Sequence, residues 1–187
     1  APTHQHSEQE KDEFYDKLEE LVRAAKARGD EVVFLGDFNA RVGRRDDIWD
    51  SEILGPHGML ERNENGTRLL QFCTAHRCRV MGTFYRHKTY GTWMHAKTRR
   101  WHMIDHVVCL TGTAALFANV QVKPGFEADT DHRLVRATMH LPQPWHRGRR
   151  GQQPDGGQAG ARPGRLAVER LSDEAVKEAF QAAFDAT

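Results

Sequence analysis

The stretch Val32-Val33-Phe34-Leu35-Gly36-Asp37-Phe38-Asn39-Ala40 constrains this chain more than any other. Its unbroken apolar run, Val32 to Leu35, reads as a strand buried on both faces. Gly36 then lets the backbone turn with no Cβ in the way. Asp37 and Asn39 follow at the carboxyl end of the strand, where ligands sit in α/β sheets. Residues two apart in an extended segment point the same way. The segment therefore aims an acceptor-only carboxylate and a donor/acceptor amide at one cavity. Such a pair can orient a water or hydroxyl and hold a phosphate oxygen. Read alone, Asp-Phe-Asn is as simply turn chemistry, which favours both residue types.

The flanking sequence supports an α/β chain. Ser7 and Glu10 form a capping box. Phe14, Leu18, Leu21, Val22 and Ala25 recur at helical spacing, and Gly29 is a C-terminal stop. A helix, a glycine, a buried strand and a polar turn follow one another, which is the order of an α/β fold. Residues 41–66 are polar and punctuated by Gly43, Gly55, Pro56, Gly58 and Gly66. So long a connection is functional or wraps a face. Leu69, Leu70, Phe72 and Cys73 predict a short helix, and Arg79-Val80-Met81 a strand. Thr89–Met94 and Trp101–Leu110 are β-rich runs joined by the polar loop 96–100, the pattern of a hairpin. Val120-Gln121-Val122 alternates. Val135, Ala137, Met139 and Leu141 alternate with Arg136, Thr138 and His140, as in a half-buried strand. Strands in succession with little helix between them predict a partly antiparallel sheet.

At 187 residues, one domain with extra segments is expected. A net charge of +1 means that any attraction to nucleic acid comes from local patches. Cys73, Cys78 and Cys109 make an odd number with no signal peptide, which points to free thiols in a reducing, nuclear or cytoplasmic setting. No apolar stretch is long enough to span a membrane. The eleven His, among them His87, His95, His102 and His106, match no compact zinc-binding spacing. Between Pro142 and Arg165 there are four Pro, six Gly and five Arg against one acidic residue, Asp155. That composition predicts a disordered basic linker over 142–165. Ser172 then caps a last amphipathic helix within 166–187, striped by Val176, Phe180 and Phe184. The folded domain is expected to be 1–141.

Two further constellations carry chemistry. Ile104-Asp105-His106-Val107-Val108 sets a carboxylate in an apolar run, where it needs a partner. Asp129-Thr130-Asp131-His132-Arg133-Leu134-Val135 sets an Asp-His pair at the edge of a strand. Asp105 orienting His132 would leave the far ring nitrogen free for an anionic oxygen. Asp131 is a ligand type that hard cations accept. Arg99, Arg100 and Trp101 form a basic, aromatic hairpin tip suited to a DNA groove.

GDFNA, IDHVV and TDHRLV, in this order, resemble the endonuclease/exonuclease/phosphatase superfamily of DNase I and the abasic-site endonucleases. Gly58-Met59-Leu60-Glu61-Arg62-Asn63-Glu64-Asn65-Gly66-Thr67-Arg68-Leu69-Leu70-Gln71-Phe72-Cys73 is similar to the endonuclease domain of LINE-type retrotransposons, as are His87-Lys88-Thr89, Thr92-Trp93-Met94-His95 and Trp101-His102. The resemblance covers residues 1 to about 141. It implies an α/β fold, part of a DNase I-like two-sheet sandwich with helices outside, and a Mg2+-dependent DNA endonuclease that accepts Mn2+. Under it, Asp37 orients or deprotonates the attacking water and Asn39 positions water and phosphate. Asp131 joins the metal carboxylates, His132 contacts the scissile phosphate and Asp105 holds His132. Thr3 matches a phosphate-contacting position, while Thr92 and Trp93 line the DNA-facing surface. In the family, opening strands, an Asn, the main metal-binding Glu and a Tyr precede the position of Ala1. The resemblance therefore implies the C-terminal part of the fold, weakly active or inactive by itself. In retrotransposon parents a reverse transcriptase module follows. The alternatives are a non-catalytic remnant that binds nucleic acid or a protein, and a superfamily phosphoesterase acting on a phospholipid or inositol phosphate.

Overall fold

In the computed structural model, which describes residues 1–49, 51–125 and 130–141, the capping box of Ser7 and Glu10 forms and starts α1, Glu8–Arg28. Gly29 ends it at φ 75°, a left-handed conformation that glycine adopts without strain. A second helix, α2, spans Glu64–His76. The described strands are β1 Val33–Asp37, β2 Cys78–Val80, β3 Trp93–Met94, β4 Trp101–His102, β5 Asp105–Leu110, β6 Phe117–Lys123 and β7 Leu134–Met139. The linker and the final helix expected over 142–187 lie outside the described residues, as does Asp129.

The described strands pair antiparallel in sheets ordered β1-β5-β2, β3-β4 and β6-β7, and Val80 of β2 makes one isolated parallel bridge to Leu54. The three-stranded sheet is the middle layer. One of its faces, through Phe34, Val80 and Val108, packs on Val22 of α1 and Leu69, Leu70 and Phe72 of α2. Its other face, through Val33, Val107 and Cys109, packs on Phe117 and Val120 of β6 and Val135, Ala137 and Met139 of β7. The alternation expected along β7 thus holds, and it turns Val135, Ala137 and Met139 toward the core. The result is a mixed α/β sandwich with antiparallel sheets and helices on the outside. Among the described residues no helix is long and apolar enough to cross a membrane. The three cysteines are free and buried, and burial raises the thiol pKa of Cys78 to about 11 and of Cys109 to about 12.

The structure corrects several expectations. β1 is not buried on both faces: Leu35 is 69% exposed. The reason is that β1 has β5 on one edge and no described strand on the other. The strand also runs through Gly36 to Asp37 instead of turning at Gly36. Leu21 lies outside the buried stripe of α1, at 59% exposure, and Leu141 is exposed beyond the end of β7. The Trp101–Leu110 run breaks at Met103-Ile104. Its first part pairs with β3 as a hairpin and its second part joins the central sheet as β5. The strand expected over Arg79–Met81 is β2, and Met81 already begins a short 3-10 turn.

Candidate functional site

The register of the central sheet sets Asp37 directly opposite Asp105, at the end of β1 and the start of β5. Directly opposed residues of an antiparallel pair share a face. Both carboxylates therefore lie on one side of the sheet, and opposing like charges there calls for a compensating donor. His132 supplies one: its Nδ1 lies 3.0 and 3.2 Å from the two Asp105 oxygens. A carboxylate only accepts, so Nδ1–H is the donor and Nε2 is left for another partner.

The chain delivers His132 by extending the β3 edge. Met94 N–H donates to Asp131 O at 3.1 Å, Arg133 N–H donates to Thr92 O at 2.6 Å, and Trp93 bridges His132 through the backbone. The Trp93 indole Nε1–H donates to the Asp131 carboxylate at 2.7 Å. Asp131 is more than half exposed and stands 4.0 Å from His132 Nε2.

Thr92 requires a correction. It lines no surface, being wholly buried. Its Oγ1 accepts from the N–H groups of Ile104 and Asp105, at 3.0 and 3.1 Å. A buried hydroxyl there satisfies two donors where β4 hands over to β5, so Thr92 supports Asp105 from behind. Trp101 also lies away from the hairpin tip. It sits in β4, half-buried, stacked under the Arg133 guanidinium and packed against Gly91. Arg99 and Arg100 are exposed on the loop as expected.

Asp37 and Asn39 do not continue an extended segment. The strand ends at Asp37, whose Oδ1 accepts from Asn39 N–H at 2.7 Å, and Asn39 is left-handed at φ 50°. Turn chemistry and a polar pair at the strand end are therefore both present. Asn39 Nδ2 donates to Ala1 O at 3.0 Å, and the nitrogen of Ala1 donates to Asp37 O at 3.0 Å. These bonds lay Ala1-Pro2-Thr3 beside the turn. Thr3 and Asn39 thereby reach a cleft of about 510 Å3 whose other walls include Arg41, Trp93, His95 and His102.

Two histidines that the motifs did not single out for a role lie close by. His106 is fully buried; its Nε2–H donates to Ala40 O at 2.7 Å and its Nδ1 has no partner. Burial pushes its pKa down, so the ring is neutral. Burial also lowers the pKa of His102, with Arg41 adding to it. Glu61 Oε2 lies 3.3 Å from His102 Nδ1 but off a hydrogen-bonding direction, so that nitrogen stays unpartnered. Asn63 and Asn65, which the motifs marked only by resemblance, bind the backbone of Asn39 and Arg41. A helix-capping Asn ahead of an apolar run is the signal that marks Asn63 in sequence.

No three His, Cys, Asp or Glu side chains among the described residues gather to hold a metal ion. Asp131 already accepts the Trp93 indole, and Asp105 is taken up by His132. The described residues thus do not by themselves make a cation site.

Comparisons with known proteins agree with this architecture. Craniofacial development protein 2 from Bos taurus is 29% identical over 143 residues, covering 75% of this chain and 24% of that protein. The Tragulus javanicus protein of the same name matches to the same extent. This chain therefore spans about a quarter of the length of these relatives. Among solved structures, the 3'-5' exonuclease NExo from Neisseria meningitidis superposes with a TM-score of 0.52 at 21% identity, over 71% of this chain and 54% of that one. A second Neisseria structure, the 3' phosphatase NExo bound to a product DNA hairpin, superposes with the same TM-score at 20% identity. The endonuclease/exonuclease/phosphatase family profile matches residues 1–167, and the chain belongs to that family.

Proposed function

We propose that the cluster of Asp37, Asn39, Asp105 and His132 serves phosphodiester hydrolysis on DNA. The observation that carries this reading is the Asp105–His132 pair, set directly across the sheet from Asp37. In the proposed reaction Asp37 accepts the proton of a water positioned by the Asn39 amide. The water oxygen attacks phosphorus, one ester P–O bond breaks, and the departing oxygen is protonated from solvent. His132, braced at Nδ1 by Asp105, donates from Nε2 to a phosphate oxygen when the ring carries both protons. Such donors, fixed before reaction, stabilise charge developing on the phosphate. Thr3 and Trp93 line the cleft that would take the DNA, and Arg99 and Arg100 offer phosphate contacts on the adjoining loop.

The family setting makes a divalent cation, Mg2+ or Mn2+, part of the proposal, with Asp131 among its ligands. The ion would need further ligands beside Asp131. A LINE-type retrotransposon origin rests on the similarity of residues 58–73 and of Thr92-Trp93-Met94-His95 to those endonucleases. In such parents a reverse transcriptase module follows.

A second reading, a nucleic-acid-binding domain without catalysis, is favoured by one observation: exposed Arg99 and Arg100 stand on the loop adjoining the Trp93-lined cleft, which suits a nucleic-acid backbone without any reacting group. Supercoiled-plasmid nicking in Mg2+, paired with binding of a fluorescent DNA hairpin, decides between them. Weak nicking that falls about 100-fold or more in His132→Ala and Asp105→Ala supports hydrolysis, the size of loss expected for removing a preorganised donor. Binding without nicking, weakened by Trp93→Ala, supports the second reading. Neither nicking nor binding overturns both.

A further inference from the structure

Asn39 sits in a conformation that few non-glycine residues adopt, although Asn is enriched among those that do. Its peptide is held from both ends. The Asp37 carboxylate takes its N–H at 2.7 Å. Its carbonyl oxygen accepts from Asn63 Nδ2 at 3.2 Å and from Asn65 Nδ2 at 3.3 Å. Both asparagines are also tied elsewhere. Asn63 Oδ1 accepts from Gly66 N–H at 2.8 Å, capping α2, and from Arg41 N–H at 2.9 Å. The Asn63 N–H returns a bond to Arg41 O at 3.1 Å. Asn65, only 6% exposed, spends its remaining donor on Pro2 O at 3.0 Å.

The first turn of α2 is therefore a fixed template against which three backbone segments are set: Ala1–Thr3, Asn39 and Arg41. Rotating the Asn39 peptide out of the left-handed region would unmake the bonds to its carbonyl. It would also swing the side-chain amide away from Ala1 O.

We propose that Asn63 and Asn65 are positioning residues that hold Asn39 left-handed and so aim its amide into the cleft. The functional weight of this clamp rests on the hydrolytic reading of Asn39; the clamp itself does not. Asn63 also lines the cleft beside Asn39, whereas Asn65 is buried behind it, so Asn65 reaches the cleft through Asn39 alone.

Asn63→Asp tests the clamp without removing the helix cap. Asp keeps the acceptor for Gly66 and Arg41 and is an equally good N-cap, but turns an acceptor toward the Asn39 carbonyl. Asn65→Asp makes the same change at the second donor. Backbone NMR shifts of Asn39 report its φ in the free protein. Both variants are expected to move the Asn39 shifts out of the left-handed range. Leu69→Ala, a core change in the same helix, should lower thermal stability and leave those shifts in place. On DNA, Asn65→Asp, which lies outside the cleft lining, should lower nicking or binding about tenfold, in keeping with a small misplacement of a catalytic group. In an Asn39→Ala background the same change should cost less than about twofold, since residues acting through one another are not additive. Unmoved Asn39 shifts in both Asp variants overturn the clamp, as does a full tenfold loss in the Asn39→Ala background. If the parent protein neither nicks nor binds DNA, the hydrolytic reading fails and the NMR result still decides the clamp.

Discussion

At the scale of single residues, the site depends on buried polar groups whose partners are backbone atoms. Thr92 gives its hydroxyl oxygen to the N–H groups of Ile104 and Asp105 in a fully buried position. Thr92→Val keeps the shape and leaves two donors unsatisfied. The expected cost is about 2 kcal/mol or more in urea unfolding, from the desolvation of unpaired amides. His106 provides a pH dependence. Burial lowers its pKa in the folded state, so between that value and the ordinary 6.5 the unfolded chain binds more protons than the folded one. Stability is therefore expected to fall as pH drops below about 6.5, with a slope approaching about 1.4 kcal/mol per pH unit. Urea midpoints measured between pH 5 and 7.5 check this, and His106→Gln, which keeps an amide donor for Ala40 O, should flatten the slope. The motifs put Asp37 and Asp105 at strand ends and His132 just before β7, as in the structure, while Asn39 lies in a left-handed turn and not in the extended run expected of it. The roles of His106 and Thr92 were not legible. An alternating pattern shows only that a side chain faces inward, and says nothing of which carbonyl or amide it meets there.

At the scale of elements, α1 and its capping box were the most readable features, because capping is a local interaction; α2 begins at Glu64 under an Asn63 cap, where the sequence was read as irregular up to Gly66. The strands were less so. β1 looked like a central strand because its residues are apolar, yet a run of that kind reports hydrophobicity and not the number of neighbours. β4 and β5 looked like one long run because nothing in Met103-Ile104 marks a change of sheet. The sharpest element-level constraint lies at the start of α2. A Cβ on Gly66 would run into the carbonyl oxygen and carbon of Arg41, both backbone atoms that cannot swing aside. Gly66→Ala is therefore expected to cost about 3 kcal/mol or more, among the large values that arise when packed backbone must shift. Thermal unfolding of Gly66→Ala beside the parent protein measures it. A change of less than about 1 kcal/mol would mean that the loop after Asn39 is not packed against α2 as described.

At the scale of the whole molecule, the described residues fall in one unit, Ala1–Gln143, in which the central sheet is covered by helices on one face and by β6-β7 on the other. The proposed chemistry sits where β1 ends, β5 begins and the segment before β7 is laid along β3. Those pieces come from three distant parts of the chain: Asp105 and His132 are 27 residues apart, and Asp37 lies far before both. Spacing alone could not join them, and only the order of the three motifs suggested that they meet. The central claim is that His132, held at Nδ1 by Asp105, meets a DNA phosphate through Nε2. Imidazole 15N NMR of His132 during titration with a short DNA hairpin tests it most directly. The account predicts that Nε2 of His132 shifts with DNA concentration while Nδ1 stays bonded to Asp105, and that Asp105→Asn weakens the response. DNA binding that leaves the His132 nitrogens unmoved would contradict the account.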